Sequence, residues 1–203
     1  ADLLSFELAV RGTDVLVDAG AYIYTADIRS RNEFRSTKKH NTIVVDGENQ
    51  FKLSNENAFL GSDFPVPSGL TLVNNNCAEI CHGKYCKCIG NDILLEHQRI
   101  FTLYSDGCFL KIVDILEARG EHNIEMFFHF APDIHVTLIE NTNAVRINGD
   151  CLDIELVIEC SNDLKLRVQD DTVSPSYGLI INTKTLVVES KFIDELKITT
   201  SIK

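Results

Sequence analysis

Asp18 closes the apolar run Val15-Leu16-Val17, and His40 stands just before the run Ile43-Val44-Val45, so both polar side chains fall where a strand meets a loop. An imidazole nitrogen and a carboxylate oxygen are donors that zinc accepts; they are equally the two ends of an ordinary hydrogen bond. The two residues are far apart in sequence, and only tertiary structure can bring them together. From Arg29 onward Arg29, Arg31, Arg35, Lys38 and Lys39 stand against a single acid, Glu33. Arg grips a carboxylate or sulfate in a bidentate fork and Lys acts as a point charge, so this island suits an anionic ligand, with a solvated loop as the alternative. Arg35 could equally pair with Glu33, Asp18 or Asp27. Tyr22 and Tyr24 flank Ile23 and share one strand face, where a ring can stack on a sugar or pack at a core rim.

Other candidate groups carry less. The seven cysteines, Cys77, Cys81, Cys86, Cys88, Cys108, Cys151 and Cys160, are an odd number at irregular spacing. Free thiols are expected, because a chain of this length needs no disulfide staples. The cluster CAEICHGKYCKC with His82 lacks the C-x2-C pairs of most zinc knuckles, although a thiol-metal site is the rival reading there. His129, inside MFFHFAP, reads as a hydrogen-bonded core histidine, and His97 and His122 as polar residues at strand ends. No phosphate loop, nucleophile elbow or carboxylate pair stands out.

The elements that must position these residues are strands. The chain has 203 residues, 44% hydrophobic and 24% charged, enough for one sizeable core, and a single domain over 1–203 is expected. Short runs rich in Val, Ile and Phe recur, among them 3–10, 14–20, 41–47, 70–76, 97–104, 108–117, 123–131, 144–149, 152–159, 164–169, 178–190 and 195–202. Arg11-Gly12-Thr13, Asp46-Gly47, Ser105-Asp106-Gly107 and Asn148-Gly149-Asp150 mark tight turns, and helical periodicity is scarce. The expected fold is therefore all-β: an antiparallel β-sandwich of two stacked sheets, with many short strands and little helix. Segment 48–69 and the cysteine region are its least regular parts. The formal net charge of -11 argues against nucleic acid as a partner, and no run reaches the length of a membrane span.

Four pieces, DLLSFEL, LVDAGAY, FRSTKKHNT and VVDG-x-x-Q, resemble the C-terminal domain of the heparinase II/III-like polysaccharide lyase family. HQRIFTLYSDGCFLKIVDILEARGEHNIEMFFHFAPD and SPSYG (174–178) resemble its later strands, so the resemblance spans nearly the whole chain. It implies an α-helical toroid followed by a β-sandwich, with an acidic polysaccharide bound between them and cleaved by β-elimination. This chain is then a C-terminal fragment, consistent with its opening inside a strand pattern, and its partners are its own toroid and a glycosaminoglycan or alginate. The catalytic residues are expected upstream of Ala1. Asp18 and His40 match two of the family's zinc ligands and the third falls upstream, so zinc is expected in the intact protein and weakly or not at all in the fragment. Arg35, Arg31 and Tyr24 are the substrate-binding candidates. The rival is a non-catalytic carbohydrate-binding or scaffold sandwich. The resemblance implies a periplasmic or extracellular protein, whereas unpatterned cysteines suit a reducing cytoplasm.

Overall fold

The computed structural model describes residues 1–75, 78–89, 93–104 and 109–203. In chain order the elements are β1 (Leu8–Val10), β2 (Thr13–Leu16), α1 (Ile28–Arg35), a 3-10 turn (Thr37–Lys39), β3 (Ile43–Val45), β4 (Lys52–Leu53), β5 (Gly61–Ser62) and β6 (Val66–Asn74). There follow β7 (Ala78–Ile89), β8 (Ile93–Tyr104), β9 (Leu110–His129), β10 (His135–Leu138), β11 (Ala144–Gly149), β12 (Leu152–Cys160), β13 (Lys165–Ser176) and β14 (Leu179–Ile202). Strand accounts for 64% of the structure and helix for 6%, too little helix for parallel crossovers. The expected class, an all-β antiparallel sandwich, is the one observed. Among the described residues no helix is long and apolar enough to cross a membrane. Cys77, Cys108, Asn76 and the turn Ser105-Asp106-Gly107 lie outside the described residues.

The chain forms two compact units, the first made of Ala1–Phe64, Asn123–Ile134 and Leu166–Glu189. Its β1–β2 hairpin closes on Arg11 and Gly12, both at positive φ, which gives the two-residue turn the strand twist requires. β3 pairs with the last part of β9, Ile43 opposite Met126 and Val45 opposite Ile124. Val44, Phe127 and Val187 form one buried cluster; Ala19, Phe34 and Val173 form another. The basic segment, read from sequence as a loop, is largely helix. Capping rather than apolar periodicity makes it so: Asp27 Oδ1 accepts from the Arg29 amide (2.9 Å) and its Oδ2 from the Ser30 hydroxyl (2.6 Å). Arg35 in the last turn complements the carbonyl end of the dipole, and Ser36 ends the helix by donating from both amide and hydroxyl to the Glu33 carbonyl. The 14–20 run also stops short as a strand, at Leu16. Val17 continues extended, its amide donating to the His129 carbonyl (2.9 Å).

The second unit is Pro65–His122, His135–Lys165 and Ser190–Lys203. β6, β7, β8 and β9 form an antiparallel meander, and β10, β11, β12 and β14 pair in that order. The cysteine region is far more regular than the sequence suggests, since β7 pairs with β8 without a slip from Ala78 to Ile89. The turn between β11 and β12 falls at Asp150-Cys151, one residue later than expected, with Cys151 at positive φ. Two gaps expected within 108–131 and 178–202 are not turns either. β9 and β14 run straight through and contribute to both units, because Gly120 (φ 105) and Asp194 (φ 62) absorb the irregularity inside the strand. The Gly120 amide donates to Asp194 Oδ1 (2.8 Å) and so joins the two irregular points.

At the centre of this unit lie Arg99, Asp114 and His97, all at most 1% exposed. Arg99 donates Nε to Asp114 Oδ1 (2.7 Å) and Nη2 to Oδ2 (3.1 Å), and His97 Nε2 donates to Oδ1 (2.7 Å). His97 is thus mid-strand and buried rather than at a strand end. Burial alone would push the Asp114 carboxyl up, but the Arg99 charge and the His97 hydrogen bond outweigh it and hold the group below the usual carboxylate range. Burial, opposed by Asp114, keeps the His97 imidazole below its ordinary value. A folded-state value below the unfolded one means that the unfolded chain binds more protons, so stability is lost as pH falls. The His97 contribution should fade as pH drops below about 6.5 and the Asp114 contribution below about 4, checked by urea unfolding across pH. Asp114→Ala, which leaves Arg99 buried and unpaired, should cost about 3–5 kcal/mol in the same measurement at pH 7.

Candidate metal and ligand site

Asp18 and His40 do meet. His40 Nδ1 donates to Asp18 Oδ2 at 2.6 Å, while Asp18 Oδ1 accepts from the Gly20 amide at 2.8 Å. Burial would raise the Asp18 carboxyl, but the hydrogen bond and charge of His40 and the Gly20 amide together hold it below its usual range. Gly20 has φ +78 and pairs in parallel with Ser174. A Cβ there would lie 2.1 Å from the Ser174 carbonyl oxygen, so only glycine permits the approach. The Ser174 amide donates to the Ala19 carbonyl (2.7 Å) and the Gly178 amide to the Tyr22 carbonyl (2.8 Å). The VDAG and SPSYG segments are therefore stitched together along their backbones.

Behind this pair lies a buried polar network. His129 has Nε2 3.0 Å from the Lys38 carbonyl oxygen and Nδ1 2.9 Å from Thr185 Oγ1, and the Thr185 hydroxyl donates to Asp171 Oδ2 (2.8 Å). The His129 amide donates to the Asn41 side-chain oxygen Oδ1 (2.7 Å), so one residue holds the Lys38 carbonyl on one side of His40 and the Asn41 side chain on the other. Lys39, 4% exposed, pairs with Asp171 Oδ1. Burial opposes ionisation of Asp171, but hydrogen bonds from His129 and Lys39 hold its carboxyl far below the usual range. Sequence placed Lys39 in the basic island facing an anionic ligand, and did not single out Asp171, because nothing in their spacing links positions 132 residues apart.

The three substrate-binding candidates separate. Arg35 meets none of the carboxylates considered for it and donates Nη1 to the Ala58 carbonyl (2.5 Å) and Nη2 to the Leu60 carbonyl (3.4 Å). Arg31, one helical turn earlier, lies over the Tyr24 ring at 5.0 Å. Tyr24 also stacks on Phe59 and Tyr177, whereas Tyr22 turns to pack on Phe34 at 5.5 Å. Phe59 and Tyr177 were missed from sequence; the available signal was an aromatic residue standing in a polar loop, NENAFLG and SPSYG. In the cysteine region, Cys81 lies on the opposite face of β7 from Cys86 and Cys88, since side chains alternate along an unslipped strand. Cys81, Cys86, Cys88, Cys151 and Cys160 are free thiols. No three His, Cys, Asp or Glu side chains gather to hold a metal among the described residues.

The family model for the heparinase II/III-like C-terminal domain matches residues 1–200. The chain belongs to that family. Solved structures resemble this heparinase II/III-like domain closely in fold. The heparan sulfate lyase HepC from Pedobacter heparinus superposes with a TM-score of 0.81 at 17% identity, over 99% of this chain and 30% of that one. A heparinase III gives 0.78 at 18% identity, over 99% and 29%, and the heparinase III gene product BT4657 gives 0.76 at 14%, over 99% and 30%. The heparinase II/III-like domain thus spans about 30% of the length of the HepC lyase. No curated protein matches its sequence. Gly20→Ala in this domain should cost more than about 2 kcal/mol, from strain and clash with Ser174. Gly47→Ala, at φ +70 with nothing within 4 Å, should cost about 1–2 kcal/mol. Paired chemical denaturation curves check both values.

Proposed function

We propose that this chain is the C-terminal part of a lyase that cleaves an acidic, uronic-acid-containing polysaccharide by β-elimination, supplying one wall of the substrate cleft and part of a zinc site. Family membership supports the class. The observation that carries the reading is the 2.6 Å contact between Asp18 and His40, which joins two separate family motifs at one point. Elimination removes the proton from C5 of a uronate, forms an enolate at its carboxyl carbon, and expels the C4 oxygen. The base and acid for these steps lie in the N-terminal part of the parent protein, and this chain binds and orients. Arg31 and the exposed Lys38 supply positive charge toward the uronate carboxylate, where charge accumulates in the enolate. Arg35 serves indirectly by fixing the loop beside them. Tyr24 contributes ring surface.

The residues fit zinc in part. His40 Nδ1 offers nitrogen and Asp18 Oδ2 oxygen at the same 2.6 Å contact, where a metal ion would take the place of the shared proton. Two protein ligands fall short of the three that an open zinc site uses, so the third comes from outside this chain. Zinc, when bound, would cross-link the two strand-loop junctions that carry Asp18 and His40. An exported location goes with this reading. The exposed aromatic residues also favour a second reading, a carbohydrate-binding module without catalysis.

In the intact protein, Asp18→Ala and His40→Ala should each weaken zinc binding by at least about tenfold, read as metal content after dialysis against a competing chelator. The isolated chain should hold well under one equivalent and form no unsaturated uronide, followed by its ultraviolet absorbance, from heparan sulfate or alginate. Product from the isolated chain would sink the assignment of the base upstream; an intact protein that binds uronates without product would favour the module.

A further inference from the structure

Around α1 four side chains make an exposed surface with a distinct chemistry. Tyr24 stacks on Phe59, with centroids 6.2 Å apart and planes at 18°, and on Tyr177, at 5.8 Å and 22°. Phe59 and Tyr177 are 63% and 66% exposed. In a globular chain, large aromatic rings left this open and ordered against one another mark a place where something flat and partly apolar is received. The rings are also held from behind. Arg35 donates to the carbonyls of Ala58 and Leu60, the two residues flanking Phe59, and the Phe59 amide donates to Asn57 Oδ1 (2.9 Å). Asn32 on the same helix holds the start of that loop through the Ser54 carbonyl (2.8 Å). The bond from the Gly178 amide to the Tyr22 carbonyl fixes the turn next to Tyr177. Surfaces held in place before binding lose little freedom on contact.

The charge on this surface is as specific as its shape. Arg31 lies 5.0 Å from the centre of the Tyr24 ring and, among the described residues, forms no ion pair, and its buried Nε has no hydrogen-bond partner there. An unpaired guanidinium beside stacked rings is a mismatch for a neutral apolar partner, which would cover the charge without satisfying it. It matches a ligand with a C–H face for the rings and a carboxylate or sulfate for the fork. Nucleic acid has that chemistry too, but a chain of net charge -11 repels a long phosphate backbone.

We propose that Phe59, Tyr24 and Tyr177 with Arg31 form a stacking subsite for an anionic pyranose, in which Arg35 acts as a positioning residue for Phe59. The choice of sugar class rests on the lyase reading; the subsite itself needs neither zinc nor turnover. The test is affinity electrophoresis of this 203-residue chain in EDTA, through gels containing heparan sulfate, polygalacturonate or neutral dextran. Retardation by at least one polyuronate and none by dextran is expected. Phe59→Ala and Tyr177→Ala, at exposed positions the core does not use, should each weaken binding about tenfold. Arg31→Gln should lower affinity for the polyuronate by about tenfold or more while leaving the thermal transition unchanged. The subsite is overturned by a lack of retardation in both polyanions, by equal retardation in dextran, or by unchanged binding of the Phe59→Ala/Tyr177→Ala double variant. A parent protein that fails the zinc and elimination tests while this chain retains the binding would overturn the lyase reading and leave the subsite standing.

Discussion

The first unit is organised by a backbone approach so close that no side chain fits within it. At Gly20 and Ser174 two extended segments pair in parallel, and a single methyl group at position 20 would meet a carbonyl oxygen at 2.1 Å. The orientation of Asp18 follows from that contact. It turns the Gly20 amide onto Asp18, which aims the carboxylate at His40, and it continues through Gly178 to Tyr22. Gly20 takes its positive φ at no steric cost, whereas Tyr22, at φ 54, carries the backbone strain that this arrangement demands.

Polar groups buried around the contact are paired with few exceptions. Lys39, Asp171, Thr185 and His129 bond to one another and hold the Lys38 carbonyl, while in the second unit Arg99 and His97 converge on Asp114. Such networks are a weak source of net stability, since desolvation consumes much of the attraction. Their effect here is to hold geometry. His40 sits between the Lys38 carbonyl and the Asn41 side chain, both held by His129, so its place in the chain has little freedom to wander.

Much of the fold was legible in the sequence because β-structure writes itself into alternation and turn residues. The Arg11-Gly12 and Asp46-Gly47 turns fall where the left-handed conformations are found. What escaped was whatever depends on few residues or on distance. α1 was hidden because its caps, not its apolar spacing, specify it, and its exposed face carries arginines that look like loop. The joins within β9 and β14 were hidden because Gly120 and Asp194 are turn-formers that here serve as irregularities inside a strand. For the site, the Asp18 and His40 pairing was foreseeable through motif resemblance, yet the aromatic neighbours of Tyr24 were not. Phe59 and Tyr177 come from loops whose convergence no local pattern encodes.

The basic island also changes meaning once its members are located. Lys39 is neutralised internally by Asp171, and Arg35 faces peptide carbonyls, so Arg29, Arg31 and Lys38 are what a molecule diffusing toward this face would sense. A field from three cations within an acidic chain is short-ranged and strongly screened at physiological ionic strength. Encounter with a polyanion therefore gains little from long-range steering. Discrimination falls instead to the lifetime of the complex, governed by how well rings and guanidinium are matched after contact.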